Sequence, residues 1–354
     1  MNNLKTQGFI LIDVDVVTLN NAGKNMASNF DNAVGTKQIL KGRNSYVYVS
    51  GQAWRYWWRD TLQKNLQWEL SPVTRDSKIA FTEADPIRYA DDDIFGYMRA
   101  ATEEVTDEKG KKKKENITVT RVSPLKNSVL VSVAPVRTAE NWSSMSRQDG
   151  DAVPYSKQEY SAVMKGMFSL DLEQAGTFSS YNKTGYKNLS DKLKKEALDS
   201  GSEELDDPFV KDAKGEPHKL VRLPKEIRQK RIIDAISALK SISGGAMQTN
   251  NMADVTPKFI ILATTNTGNH PFSSIAYPVG VYNDVPTLSI EALKEVLSDY
   301  KDTFQGEIFI GRRKGFFEEI DESLQELAKK FPLVKIGSVN EAIDQYTEQL
   351  KKQL

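Results

Sequence analysis

Ser50, Gly51, Gln52, Arg55 and Arg59 fall within the single stretch Val49-Ser-Gly-Gln-Ala-Trp-Arg-Tyr-Trp-Trp-Arg59. Their types suit the holding of phosphate. Ser50 is a good helix N-cap, because its hydroxyl accepts from a free N–H of the first turn. A helix that starts there presents unpaired donors and the positive end of its dipole, which favours an anion. Arg55 and Arg59, four residues apart, run along one edge of that helix. Trp54, Trp58 and Leu62 recur at helical spacing, with Trp57 beside them, and give a stripe to bury. The same pattern describes an ordinary core helix with solvated arginines, and the helix alone does not separate the two.

Other candidates are weaker. Asp13 and Asp15 share one face of a strand and with a third ligand would suit a metal; solvated or ion-paired carboxylates fit better. Asp91, Asp92 and Asp93 suit the start of a helix or a turn. Lys109 and Lys111, Lys112, Lys113 and Lys114 surround a glycine, the mark of a solvated mobile loop, with contact to a nucleic-acid backbone as the alternative. Gly244 and Gly245 end a helical pattern; they fit a C-cap, or a loop wrapping a phosphate. There is no cysteine, and His218 and His270 are the only histidines, so thiolate and multi-histidine metal centres are excluded. No nucleotide-binding glycine loop is present, which leaves a metabolic enzyme little support.

The 354 residues carry 48 basic and 48 acidic side chains, so any anion-binding surface must be local. No apolar run reaches the ~20 residues of a membrane span, and the N-terminus does not resemble a signal peptide. The expectation is a soluble, cytoplasmic protein.

Positioning these groups falls to a β–α–β–β–α–β series. Residues 8–19 form a strand, with Ile10, Ile12, Val14 and Val16 on one face and Phe9, Leu11, Asp13, Asp15 and Val17 on the other. A polar loop over 20–42 leads to the tryptophan helix. After an excursion at 67–121, strands follow at 128–135, with Val129, Val131 and Val133 on one face, and at 160–172, joined by a polar segment. Such an oversized connection is often functional. Residues 187–217 are charged and read as a surface insertion or as partly disordered. Pro224 opens a helix running to 243, followed by a strand at 257–265. Residues 266–354 read as a small α/β region appended to, or packed on, the main domain. The fold class is α+β, with a modified ferredoxin-like, RNA-recognition-like core. Its aromatic strand motifs are absent: Lys165-Gly-Met-Phe168 is only a partial echo, and a buried Phe168 is expected. Basic residues gather instead before and on the first helix, in the lysine run and near the second helix, which fits backbone tracking better than base readout.

Val49-Ser-Gly-Gln-Ala-Trp-Arg55, Asp91-Asp-Asp-Ile-Phe-Gly-Tyr-Met98, Arg121-Val-Ser-Pro-Leu-Lys126, Lys165-Gly-Met-Phe168 and Gly244-Gly-Ala246 occur in an order that resembles the CRISPR-associated Cas seven family, in its DevR branch, typical of type I-B systems. The resemblance covers most of residues 8–265. It implies a non-enzymatic backbone subunit of Cascade, without cofactor, that assembles head to tail along the spacer of a guide RNA for pairing with target DNA in antiviral defence. Other copies of the chain and subunits of the Cas five, Cas six and Cas eight types are the implied partners. Residues 1–66 and 122–265 would be the palm, 67–121 the fingers, 134–156 the thumb, 187–223 a surface insertion and 266–354 the C-terminal extension. Carried over by position, Ser50, Gly51, Gln52, Arg55 and Arg59 would hold guide phosphates, helped by Asn21, Lys24 and Arg43, with Gly244 and Gly245 in the same set. Trp142 or Met145 would be the wedge at a displaced base, and Lys111 to Lys114 would touch target DNA. The competing expectation is a type III-like endoribonuclease that cleaves target RNA with a metal and Asp31.

Overall fold

The computed structural model describes residues 3–25, 28, 32–76, 79–106, 112–146, 149–181 and 187–354, with the side chains of 101–106 and 112–117 excepted. Its centre is a large sheet. From one edge the strands run Val334–Gly337, Ile308–Arg312, Phe259–Thr265, Lys5–Val17, Val153–Asp171, Leu130–Ser132, Asn44–Val49 and Gln38–Lys41. Neighbours along this path are antiparallel, except the parallel pair Ile308–Arg312 and Val334–Gly337.

Lys5–Val17 lies between two cores. Ile10, Ile12 and Val14 face the tryptophan helix, while Phe9 and Leu11 face the C-terminal elements. The expected alternation fails at its end. A bulge between Val14 and Val17 puts Val16 at φ 48° and into solvent, and turns Val17 inward. One inserted residue exchanges the faces of everything after it.

The tryptophan helix spans Gly51–Leu66 and buries Trp54, Trp57, Trp58 and Leu62. Gly166 on the facing strand makes room for it: a Cβ there would overlap the Leu130 side chain and meet Trp54 at 3.0 Å. Phe168 is buried edge-on to Trp58, with ring centroids 5.1 Å apart. The Trp58 indole N–H, which could not be left unpaired at this depth, donates to the Ala235 carbonyl at 2.7 Å.

Several expectations need correction. Residues 20–42 are not a plain loop: they contain strands Asn21–Lys24, Ala33–Thr36 and Gln38–Lys41. Leu130 and Val133, not the Val129–Val131–Val133 stripe, enter the cores. The helix opened by Pro224 spans Lys225–Ser237 and passes into a 3-10 turn, Ala238–Lys240, so Gly244 and Gly245 do not cap it. Residues 187–223 are folded: helix Asp191–Asp199 packs on the antiparallel strands Thr177–Ser179, Pro217–Arg222 and Glu203–Lys211 around Phe178, Leu189, Ala197 and Val221. The C-terminal region is not an appendage. Its strands continue the central sheet, and helix Val339–Gln353 inserts Ala342, Ile343, Tyr346 and Leu350 into the core of the tryptophan helix.

Candidate nucleic-acid interface

The start of the tryptophan helix forms as its sequence dictates. Ser50 has extended backbone, and its Oγ accepts from the Ala53 N–H at 3.3 Å. Gly51 lies against Asn127, whose Nδ2 donates to the Gly51 carbonyl at 3.2 Å, and Gln52 is exposed.

Arg55 is turned inward. Its Nη1 donates to the Leu125 carbonyl at 2.6 Å and to Asn127 Oδ1 at 3.0 Å. Its Nη2 donates to the Phe95 carbonyl at 2.7 Å and to Ser123 Oγ at 2.9 Å. The guanidinium lies 5.0 Å from the centre of the Phe95 ring. Burial, with Arg59 nearby, lowers its pKa to about 10. A guanidinium whose fork is filled by protein acceptors staples the helix to Phe95 and to the 123–127 segment and offers little to a phosphate. Arg59 is shared: its Nη2 contacts Asp91 Oδ2 at 2.5 Å, while its side chain stays 25% exposed.

These bonds belong to a buried hub that sequence reading missed. Asp91, Asp92 and Asp93 do start a helix, Ala90–Phe95, but they are only 2%, 1% and 0% exposed. Asp93 receives Arg121 through Oδ1 and Arg231 through Oδ2, the latter at 2.7 Å, and its Oδ1 also accepts from the Gly176 N–H at 3.1 Å. Arg231 also donates to the Pro86 and Ile87 carbonyls, and Arg228 to those of Leu172 and Ala175. The basic residues near the second helix are thus largely structural. Arg121 and Arg231 lie 28 and 138 residues from Asp93, beyond any local pattern.

A different surface gathers most of the other candidates. Residues Ala139–Met145 pair with Val153–Glu159 at the start of the long strand, so the polar segment is a β-hairpin. Trp142 and Met145 stand on it, each 54% exposed. Its root is tied to the exit of the first strand. The Gln158 carbonyl accepts from Thr18 Oγ1 at 2.7 Å and Thr36 Oγ1 at 3.0 Å, and Gln158 Oε1 accepts from the Thr36 N–H at 3.0 Å. Strand Ala33–Thr36 pairs with Ser156–Lys157 and with Asn21–Lys24, which sets exposed Asn21 and Lys24 beside the hairpin root. Glu140 accepts from Ser28 and Ser156, which hold its carboxylate below the usual range. Arg43 is at the exposed turn of the neighbouring hairpin Gln38–Lys41/Asn44–Val49.

The loop with Gly244 and Gly245 closes this surface. A Cβ on Gly244 would overlap the Trp57 ring, and Gly245 has φ +117°. The Ala246 N–H donates to the Leu19 carbonyl at 3.0 Å, and Lys157 Nζ lies 3.4 Å from Asn251 Oδ1. Both glycines have a packing or backbone reason; their loop nevertheless borders the root. Lys112, Lys113 and Lys114 are elsewhere, in strand Lys112–Arg121 of the hairpin with Tyr97–Thr106. Ten residues of strand place them ~30 Å from the root of that hairpin. They begin a strand, not a loop as expected from sequence. Lys109, Lys111 and Asp31 lie outside the described residues.

Asp13 and Asp15 share an exposed face, and Asp15 accepts from Ser161 Oγ at 2.6 Å. Among the described residues no helix is long and apolar enough to cross a membrane.

The family described as the CRISPR-associated negative auto-regulator DevR/Csa2 matches residues 14–284. No curated protein matches the chain. Two solved chains share its fold over 98% of its length and 99% of theirs. One, from a "CRISPR RNA-guided surveillance complex", is 10% identical with a TM-score of 0.51. The other, from a "CRISPR RNA-guided surveillance complex, pre-nicking", is 11% identical with a TM-score of 0.52. With most of its length matched, the chain belongs to the CRISPR-associated DevR/Csa2 family.

Proposed function

We propose that this chain is a non-catalytic backbone subunit of a cytoplasmic type I-B Cascade. Copies of it hold a guide RNA by its phosphates and leave the bases to pair with target DNA. The observation that carries this reading is the exposed hairpin with Trp142 and Met145, rooted beside Asn21 and Lys24 in a chain of the DevR/Csa2 family. An exposed polar surface with Lys24 beside a protruding apolar hairpin suits a strand whose backbone is gripped and whose stack is interrupted.

In this reading residues 1–66 and 122–265 are the palm, 67–121 the fingers and 134–156 the thumb. The order Phe259–Thr265, Lys5–Val17, Val153–Asp171, Leu130–Ser132 supports a ferredoxin-like palm, since it sets the first and third strands of the β–α–β–β–α–β series at the centre. Subunits of the Cas five, Cas six and Cas eight types complete the complex. Asn21, Lys24 and Arg43, with the first turn at Ser50 to Gln52, are the guide contacts, whereas Arg55 positions the helix. Lys112 to Lys114, at the far end of the hairpin Tyr97–Thr106/Lys112–Arg121, would touch target DNA.

The test is to purify the chain with its natural partners and sequence the RNA that comes with it. A uniform population with repeat-derived ends is expected. Protein free of RNA, or carrying random fragments, would overturn the reading.

A further inference from the structure

The face of the central sheet turned away from the tryptophan helix carries an exposed apolar patch. Ile39 lies opposite Tyr46 on the neighbouring strand, as Tyr48 does opposite Val131, and Val131 opposite Lys165. All of them point to this face, since their chain neighbours Val47, Leu130 and Met164 enter the core of the tryptophan helix. A hairpin, Ala276–Val279 with Val285–Leu288, rises from the same face. Lys165 Nζ holds its root, donating to the Ser273 and Ala276 carbonyls at 3.2 and 3.0 Å. Ala276 and Leu288 are buried, but Val279 and Val285, paired beyond them, are exposed. At the tip Val281 and Tyr282 are 92% and 81% exposed. An apolar projection this bare marks a protein contact. Pro278 and Pro286 face each other in its middle. Neither edge therefore offers an N–H there, and the contact is made by side chains rather than by strand addition.

The charge of this patch is one-sided. Lys41 Nζ lies 4.2 Å from the centre of the Tyr46 ring and repels Lys165. Burial lowers the pKa of both lysines, and among the described residues neither pairs with a carboxylate. Half-buried cations without a counter-ion favour a partner that brings one.

The same chain carries the complement elsewhere. Strand Glu203–Lys211 is the edge of the three-stranded sheet and exposes the carboxylates of Glu203, Glu204 and Asp206 against the single cation of Lys211. Asp206 pairs with Lys219 at the surface, a bond weak enough to exchange. The strand pairing shifts between Asp206 and Lys211. In that bulge the Asp207 carboxylate accepts from the N–H groups of Phe209 and Val210 at 2.8 and 3.1 Å. The bulge leaves Phe209 75% exposed. Phe209 borders a cleft with Asp171 and Glu173, and Asp171 stands ~20 Å along the long strand from Lys165. A contact between two different patches of identical chains is heterologous and repeats into a row.

We infer that the Lys41–Lys165 strip and the 276–288 hairpin of one copy receive strand 203–211 of the next, with Phe209 packed on the hairpin valines and Asp206 beside Lys41. This rests on the assembly of copies along guide RNA proposed above, and names the surfaces by which they join.

The chain has no cysteine, so introduced cysteines report the contact without background. Full chains carrying both Val281→Cys and Lys211→Cys, assembled on guide RNA and treated with a short bis-maleimide, should give a covalent ladder beyond the dimer. Each single variant should stop at the dimer. Lys41→Glu should raise the protein concentration needed to fill the guide about tenfold, and adding Asp206→Lys should restore it. That restoration separates the contact from a simple loss of positive charge near the RNA. Wild-type rows on RNA with no ladder from the double-cysteine chain, or no restoration by Asp206→Lys, would overturn this contact alone. A wild-type chain that binds no RNA would overturn the proposed function, and this inference with it.

Discussion

The proposed finger root around Asp93 and the proposed thumb root around Gln158 both collect the polar residues that a nucleic-acid protein should show, but they use them in opposite ways. At the finger root, Arg55, Arg121 and Arg231 are filled by carbonyls and by Asp93. At the thumb root, exposed Asn21 and Lys24 sit beside the hairpin that raises Trp142 and Met145 into solvent. The difference teaches that basic residue type does not identify a phosphate site. What decides is whether the protein has already supplied the acceptors.

The sharpest division between the two regions comes from cutting one of them. Shortening the chain between Ala139 and Val153 should abolish ordered assembly on guide RNA while the rest of the chain stays folded, because among the described residues that hairpin contributes none to the hydrophobic cores. Electron microscopy of the assembled particles, with circular dichroism of the free protein, would show it. Regular particles from the shortened chain would break the comparison.

At the finger root the expected loss is of stability. Asp93→Ala leaves Arg121 and Arg231 buried without their carboxylate. Breaking a buried ion pair from one side costs about 3–5 kcal/mol, to be read from urea denaturation. By contrast Trp142→Ala on the exposed hairpin should stay within ~0.5 kcal/mol of wild type. Equal effects at the two sites would erase the distinction.

A smaller effect concerns pH. His270 lies against the core on the C-terminal side of the sheet, its Nε2 within 2.9 Å of the Gly8 carbonyl and its ring edge-on to the buried Phe272. Burial lowers its pKa from the ordinary 6.5, outweighing the backbone bonds. The folded state therefore favours neutral imidazole. Its contribution to stability is complete above the unfolded value and is lost as pH falls through the folded one. Between the two values the fall in denaturation midpoint should be shallower in His270→Gln than in wild type. Identical curves would refute the sign.

Where information was local, the sequence was readable. Ser50 and the Trp54–Trp58–Leu62 spacing define the helix within a dozen residues, and the DevR motifs led to the family. What escaped depends on distance. The bulge that flips Val16 and Val17 comes from register against the long strand. Strands of four residues in 20–42 carry too little alternation to detect. Arg55 and Arg59 are chemically alike and one turn apart; acceptors from residues 91 to 127 separate a fully engaged guanidinium from a partly exposed one. The burial of three consecutive aspartates shows only when Arg59 reaches Asp91 and when Arg121 and Arg231, from two further segments, reach Asp93.

The most direct test compares the salt dependence of guide-RNA binding in two variants, corrected for folded protein. Lys24→Ala with Arg43→Ala should leave the fold intact, weaken binding for all spacer sequences alike and reduce the slope of log K against log salt by about 1 for each phosphate no longer neutralised. Arg55→Met should lower stability by about 2–3 kcal/mol and leave the slope of its folded fraction unchanged. The reverse, a slope that falls with Arg55→Met and holds with the double variant, would contradict the assignment of the guide to the thumb root.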